Sequence, residues 1–211
     1  MRRGTVLMAS LVLVVLGSRL IGGTMGAFSA TTSNSANSFE AAPSFCTDPG
    51  SQTVDANADA WVDQLLPLVN HGTDSSLFVR SGLLENRRTL VSFPLPPVPA
   101  HCSVTLATLR LYGKSAEGTR ILHAYQAAAA WTETGVTWNN QPPTTGSPAA
   151  TPSGTGWREW IVTTQVQDMY SSSNYGFIVK DSVEDDVLPS TQTFSSREDI
   201  SDHPQLVITF G

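Results

Sequence analysis

Two tryptophans and a carboxylate stand close together in the stretch WTETGVTWNN, residues 131–140. The indole faces of Trp131 and Trp138 could stack a pyranose ring, and Glu133 could serve as half of a glycosidase carboxylate pair. That second chemistry needs another acid across the scissile bond, for which Glu117, Glu159 and Asp168 are the candidates. No HExxH or GxSxG accompanies them, and His71, His101, His123 and His203 are scattered along the chain. No catalytic residue is assigned. The structural alternative for the two indoles is burial, since each carries roughly 200 Å² of apolar surface. Val136 and Trp138 alternate over 135–138, a candidate strand. This predicts a buried Trp138, a mostly buried Trp131, and ligand contacts elsewhere.

Elsewhere, the aromatic residues suited to stacking are Trp61, Tyr112, Tyr125 and Trp157. Arg80, Arg87 and Arg88 are the one local concentration of basic residues, able to give charge-assisted hydrogen bonds. These seven are the candidate ligand-binding residues.

The elements that must position them read as strands. Turn signals recur every eight to twelve residues beyond Cys46, which argues for an all-β sandwich or barrel. Candidate strands are 52–54, 58–62, 76–79, 89–93, 104–112, 120–125, 135–138, 159–162, 176–180, 192–195 and 206–210. In RTLVSF, Val91 and Phe93 share a face, and in QLVITF, Leu206, Ile208 and Phe210 do. The phase of CSVTLATLRLY shifts near Leu106–Ala107, which predicts a bulge there or a strand buried on both faces. Pro94, Pro96, Pro97 and Pro99 form an extended crossover, and 142–156 is a Gly/Pro/Thr-rich loop. The one helical candidate is TTQVQDMY, 163–170, with Thr163 as N-cap and Val166 and Met169 or Tyr170 buried.

The N-terminus is a different object. Arg2 and Arg3 precede an apolar run, Thr5 to Gly17, of 13 residues, a signal-peptide core rather than an anchor spanning a bilayer. GGTMGAFSATTSNS then resembles the cleavage region of the secreted camelysin and matrix-fibre group, which puts the cut between Ala27 and Phe28. Residues 1–27 are read as signal peptide, 28–45 as a flexible lead and 46–211 as the folded unit, with no membrane span left after cleavage. Of twelve basic residues, Arg2, Arg3 and Arg19 leave with the signal, so nine face eighteen acidic ones and the net charge is about −9. Such a surface repels nucleic acid. Cys46 and Cys102, an even pair in an exported chain, read as one disulfide against the alternative of two buried thiols.

The order ADAWV, NHG, LFVR, RTLVSFPLPPVP, VTLATLRLY, WTETGVTWNNQP, WREWIVTTQVQDMY, YGFIVKD and SSRE…HPQLVITF resembles the DNRLRE domain over about residues 46–211. The resemblance implies a jelly-roll β-sandwich of two antiparallel sheets with at most one short helix, grouped with carbohydrate-binding modules and related to disaggregatase repeats. It further implies a non-catalytic module of secreted or bacterial cell-surface proteins, some of which bind alginate; a polyanion would need local positive charge here. Jelly-roll modules commonly hold calcium, and Asp55, Asp59, Asp63 and Asp181 of the DSVEDD run are its candidate oxygen ligands, against a solvated acidic loop. The expectation is a secreted or surface-associated binder of polysaccharide or cell-surface glycan. The alternatives are a structural protein of the cell surface or matrix and, third, an orphan polysaccharide hydrolase or lyase.

Export has a direct test. N-terminal sequencing of secreted material is expected to begin at or within a few residues of Phe28; full-length chain found only in membranes would make the apolar run an anchor.

Overall fold

A computed structural model describes residues 45–211; the expected signal peptide and nearly all of the lead lie outside the described residues. The strands are β1 (Gly50–Asp55), β2 (Ala58–Asp63), β3 (Ser76–Ser81), β4 (Arg87–Ser92), β5 (Val104–Ala116), β6 (Ile121–Ala127), β7 (Thr144–Pro152), β8 (Gly156–Ile161), β9 (Phe177–Asp181), β10 (Ser190–Ser195) and β11 (Gln205–Phe210). One helix, α1 (Thr163–Ser171), lies between β8 and β9. Every ladder is antiparallel. The fold is all-β and jelly-roll-like, as expected. Among the described residues, no helix is long and apolar enough to cross a membrane.

The pairing order is β1-β11-β5-β10-β3-β4-β9-β6-β7, with β2 on β4 and β8 on β5. Hydrogen bonding therefore runs through the whole curled sheet; the two halves meet at the Arg80–Arg87 pairing of β3 with β4. The long strand β5 organises one half. It pairs with β11, β8 and β10 along its thirteen residues. Two register shifts bend it. Phe210 faces Val104 while Thr209 faces Leu106, so Thr105 bulges, close to the expected phase shift. Lys114 is skipped in the same way opposite β10. Beyond the first bulge Ala107, Leu109 and Leu111 all point inward and are fully buried.

The main core fills the curl with Phe93, Phe177, Phe194, Phe210, Leu109 and Trp160 among others. Trp160 is fully buried, and its Nε1–H donates to the Leu122 carbonyl at 2.9 Å, which satisfies the one polar atom of the indole.

Three local expectations are corrected. Residues 135–138 form turns, because Thr132 O accepts from both Gly135 and Val136 N–H and so winds the chain instead of extending it. Residues 144–152, read as part of a loop, form β7; it pairs with β6 alone, so Pro148 and Pro152 cost no central ladder bond. Thr163 opens α1 but does not cap it: Val162 is the N-cap residue, and the Thr163 hydroxyl accepts from Ala107 N–H at 3.0 Å. The helix does bury Val166 and Met169.

Cys46 and Cys102 form a disulfide across 56 positions. Closing that loop contributes about 4 kcal/mol in the chain-entropy model. Urea unfolding is expected to show a loss of that order on reduction, and thiol titration of the denatured, unreduced protein is expected to find no thiol.

Candidate functional site

The WTETGVTWNN segment closes the outside of the β2-β4-β9-β6 half. On β2 the side chains of Ala60 and Val62 point away from the main core, as do Leu90 of β4 and Ile178 of β9. With Ala127 and Val136 they make a second buried cluster, on which Trp131, Trp138 and Tyr175 pack. The segment is bound in place rather than laid on. Trp131 Nε1 donates to Tyr175 O at 2.8 Å, and Asn70 Nδ2 donates to the carbonyls of Glu133 and Val136, both at 2.7 Å. A Cβ at Gly72 would lie 2.1 Å from the Glu133 carbonyl oxygen, so the approach requires glycine. Val136 is the buried residue at its centre. Trp131 and Trp138 are half-buried, so the full burial expected for Trp138 is not reached: its indole lies beneath the Arg88 guanidinium, 4.6 Å from the ring centre.

Glu133 anchors this cover to the sheet. Its Oε1 accepts the Asp59 N–H at 3.0 Å, and both its oxygens accept from Arg197 Nη1, at 2.9 and 2.8 Å. Asp59 is buried behind it, accepting the Arg197 N–H at 2.7 Å. Burial pushes the Asp59 carboxyl up to about 8, with the charges of Glu198 and Glu133 adding to the rise and the Arg197 N–H opposing it. Asp59, Glu133 and Glu198 have oxygens within 4.8 Å of one another. Of the four acids considered for calcium, only Asp59 is in this group. Asp63 is bonded to Arg87 and Asp181 to Arg120, while Asp55 is an exposed residue of β1. Calcium takes six to eight oxygens. Here Arg197 already engages Glu133 and stands 3.5 Å from Glu198, so two of the three carboxylates face a cation of the chain itself.

The seven ligand-binding candidates fall into separate places. Trp61 is a core side chain, 6% exposed, stacked on His71 with centroids 3.6 Å apart and with Arg87 5.0 Å from its centre. Its Nε1 donates to Asp74. It therefore presents no free platform. Arg80 bonds Glu85 and Thr191, and Arg87 bonds Asp63. Arg88 makes a two-pronged pair with Glu184 at 2.6 and 2.7 Å on the opposite face of β4. The three arginines do not form one patch, because neighbours in a strand point to opposite faces. Tyr125 lies on the outer face with Lys180 5.3 Å above its ring.

Tyr112 and Trp157 do meet. They are register partners across β5 and β8, with ring centres 5.5 Å apart. Arg110, two residues before Tyr112 and on its face, lies 4.5 Å over Trp157. Glu159 and Gln205 fix its guanidinium at 3.0 and 3.2 Å. Arg110 was not among the candidates, although the alternation in ATLRLY already places it beside Tyr112. The result is a half-exposed aromatic pair with one guanidinium, one carboxylate and one amide around it.

The Asp59 proton has a measurable consequence. An unfolded Asp59 ionises near its ordinary 3.8, while the folded one does so near about 8. The folded state therefore binds the extra proton in between, so stability falls as pH rises through that interval and levels off above it. Asp59→Asn is expected to remove the fall. Urea midpoints of both proteins across this range check it; parallel profiles would mean that Asp59 is ionised in the folded protein.

The family model of carbohydrate-binding module family 96 matches residues 50–210, which is all of the sheet from β1 to β11. No curated protein matches the chain.

Proposed function

The chain belongs to carbohydrate-binding module family 96, and from that premise we propose a secreted, non-catalytic protein that holds polysaccharide on the outer face of β5 and β8. The observation that carries this reading is the pairing of Tyr112 with Trp157 under Arg110. Aromatic rings offer apolar faces against which the C–H face of a sugar packs, while Arg110, Glu159 and Gln205 supply donors and acceptors for its hydroxyls. Arg110 and Glu159 neutralise one another, so the surface favours hydroxyls over anions.

Export is supported by the signal-like residues 1–27 and by a disulfide, which persists in oxidising compartments. The non-catalytic reading is supported by how the acids are used. Glu133 is taken up by Arg197 and the Asp59 N–H, and Glu159, one of its three candidate partners, is paired with Arg110 on β8.

Trp157→Ala is expected to fold, at a cost of about 0.5–1.5 kcal/mol from the lost pairing with Tyr112, and to lose retention in affinity gels cast with polysaccharide. Trp160→Ala, truncating the fully buried indole, is expected to cost about 3–5 kcal/mol. Undiminished retention of Trp157→Ala would remove the β5–β8 surface from the reading.

A further inference from the structure

Gln126 is a polar side chain set into the surface beside the β7 bulge. It is 7% exposed, near the end of β6, and its side chain lines two recesses of the surface. A primary amide carries two donors and an acceptor oxygen, and that of Gln126 opens onto the surface. It sits between two adjoining recesses and lines both.

The backbone makes the larger recess. Between the pairs Ala124–Ala149 and Gln126–Thr145, β7 has three residues, Gly146, Ser147 and Pro148, opposite the single residue Tyr125. The bulge lifts β7 away, with Gly146 at φ +70°, in the left-handed region that favours glycine. Helix α1 forms the opposite wall. Its Gln165, also 7% exposed, donates to Ser147 O at 3.1 Å and so holds wall to wall. The recess, open to the surface, has a volume of about 390 Å³ and is lined by Gln126, Pro148, Ile161, Thr164 and Asp168 among others. On the other side of Gln126 lies a recess of about 360 Å³ with Thr145, Ser172, Ser173 and Tyr175. Each falls in the range of roughly 300–1,000 Å³ typical of small-molecule sites.

We propose that the cleft between the β7 bulge and helix α1 is a second saccharide site, in which the Gln126 amide reads a neutral sugar residue. The lining chemistry sets the class. Amides, hydroxyls and backbone carbonyls answer sugar hydroxyls, and Pro148 and Ile161 offer apolar contact. Among the described residues, the one charged side chain lining either recess is Asp168, and no Lys, Arg or His lines them. A uronate or sulfated unit would enter with no cation to meet it and a carboxylate to repel it.

The cleft is continuous with the surface already described. Ile161, which lines it, lies on the same face of β8 as Trp157 and Glu159, four residues and about 13 Å along the strand from Trp157. A chain stacked on Trp157 can therefore pass one of its further residues to Gln126. The proposal takes its ligand class in part from the reading of this protein as a polysaccharide binder, but its site is separate.

The test is a titration of ¹⁵N-labelled protein, residues 28–211, with neutral gluco-, manno-, galacto- and xylo-oligosaccharides and with an oligouronate. The side-chain amide signals of Gln126 and Gln165 are expected to move with at least one neutral series and to stay put with the oligouronate. Gln126→Met is expected to weaken that binding tenfold or more, as is Thr164→Val on the exposed lip of the cleft. Gln126 signals that ignore every neutral oligosaccharide mean a cleft filled by water only, and overturn the proposal. So does binding unchanged in both cleft variants. Loss of polymer retention in Trp157→Ala with no response at Gln126 would leave the β5–β8 surface standing and remove the cleft alone.

Discussion

The carboxylate of Glu133 is the point on which the rest of the structure depends. It receives the Asp59 N–H of β2 and the Arg197 guanidinium beyond β10, and so ties a covering loop to both halves of the sheet. Through that tie the outer face of β2, β4, β9 and β6 acquires a lid, and Leu90, Val62 and Ile178 become a second core instead of an exposed apolar patch. The carbonyl of the same residue is held by Asn70, whose neighbour His71 stacks on Trp61. One acid thus sets the cover, the loop and the orientation of a core indole. A sheet buried on both faces needs this kind of pin, because the covering segment is too short and too polar to hold by hydrophobic contact alone.

Part of this was legible in the sequence. The alternation of RTLVSF and QLVITF gave the inward faces of β4 and β11, and TTQVQDMY gave the helix with its buried Val166 and Met169. Strand β7 was hidden because Thr, Gly and Pro fill a strand that pairs on one side only, where propensity counts for little. Trp61 was misplaced for a different reason. Its face of β2 also carries Asp59 and Asp63, both buried, and acids flanking an indole read as a water-facing edge. Arg87 and Arg88 looked like one basic patch because proximity in sequence was allowed to outweigh strand parity. Tyr112 and Trp157 could be named individually, but only the β5–β8 register makes them partners. Gln126 carried no signal at all: an isolated glutamine becomes informative only when the bulge beside it is known.

The charge arrangement follows the same economy. Nine basic residues remain after Arg19, and eight of them are engaged with carboxylates: Arg80, Arg87, Arg88, Arg110, Lys114, Arg120, Lys180 and Arg197. Asp63 and Asp181 are almost wholly buried against their arginines. Removing one member of such a pair leaves an uncompensated buried charge, so these cations are committed to the fold. What remains outside is an acidic surface broken by aromatic and amide groups.

The two ends of the fold meet at one spot, and this decides how it would bear load. Gly50 and Phe210 face one another across β1 and β11, so the chain enters and leaves on the same side. Cys46 is bonded to Cys102, and the next residue, Ser103, exchanges two backbone hydrogen bonds with Gly211. A pull applied through residues 46 and 211 travels through the disulfide and then this small clasp. Strand β1 is bypassed, and the sheet from β5 to β11 is strained only after the clasp opens. Parted there, the hydrogen bonds of β5 and β11 would open one after another from the Phe210 end, since antiparallel neighbours pulled at one end peel instead of shearing. Tension between residues 46 and 211 is thus carried by one covalent bond and one pair of hydrogen bonds before it reaches the sheet.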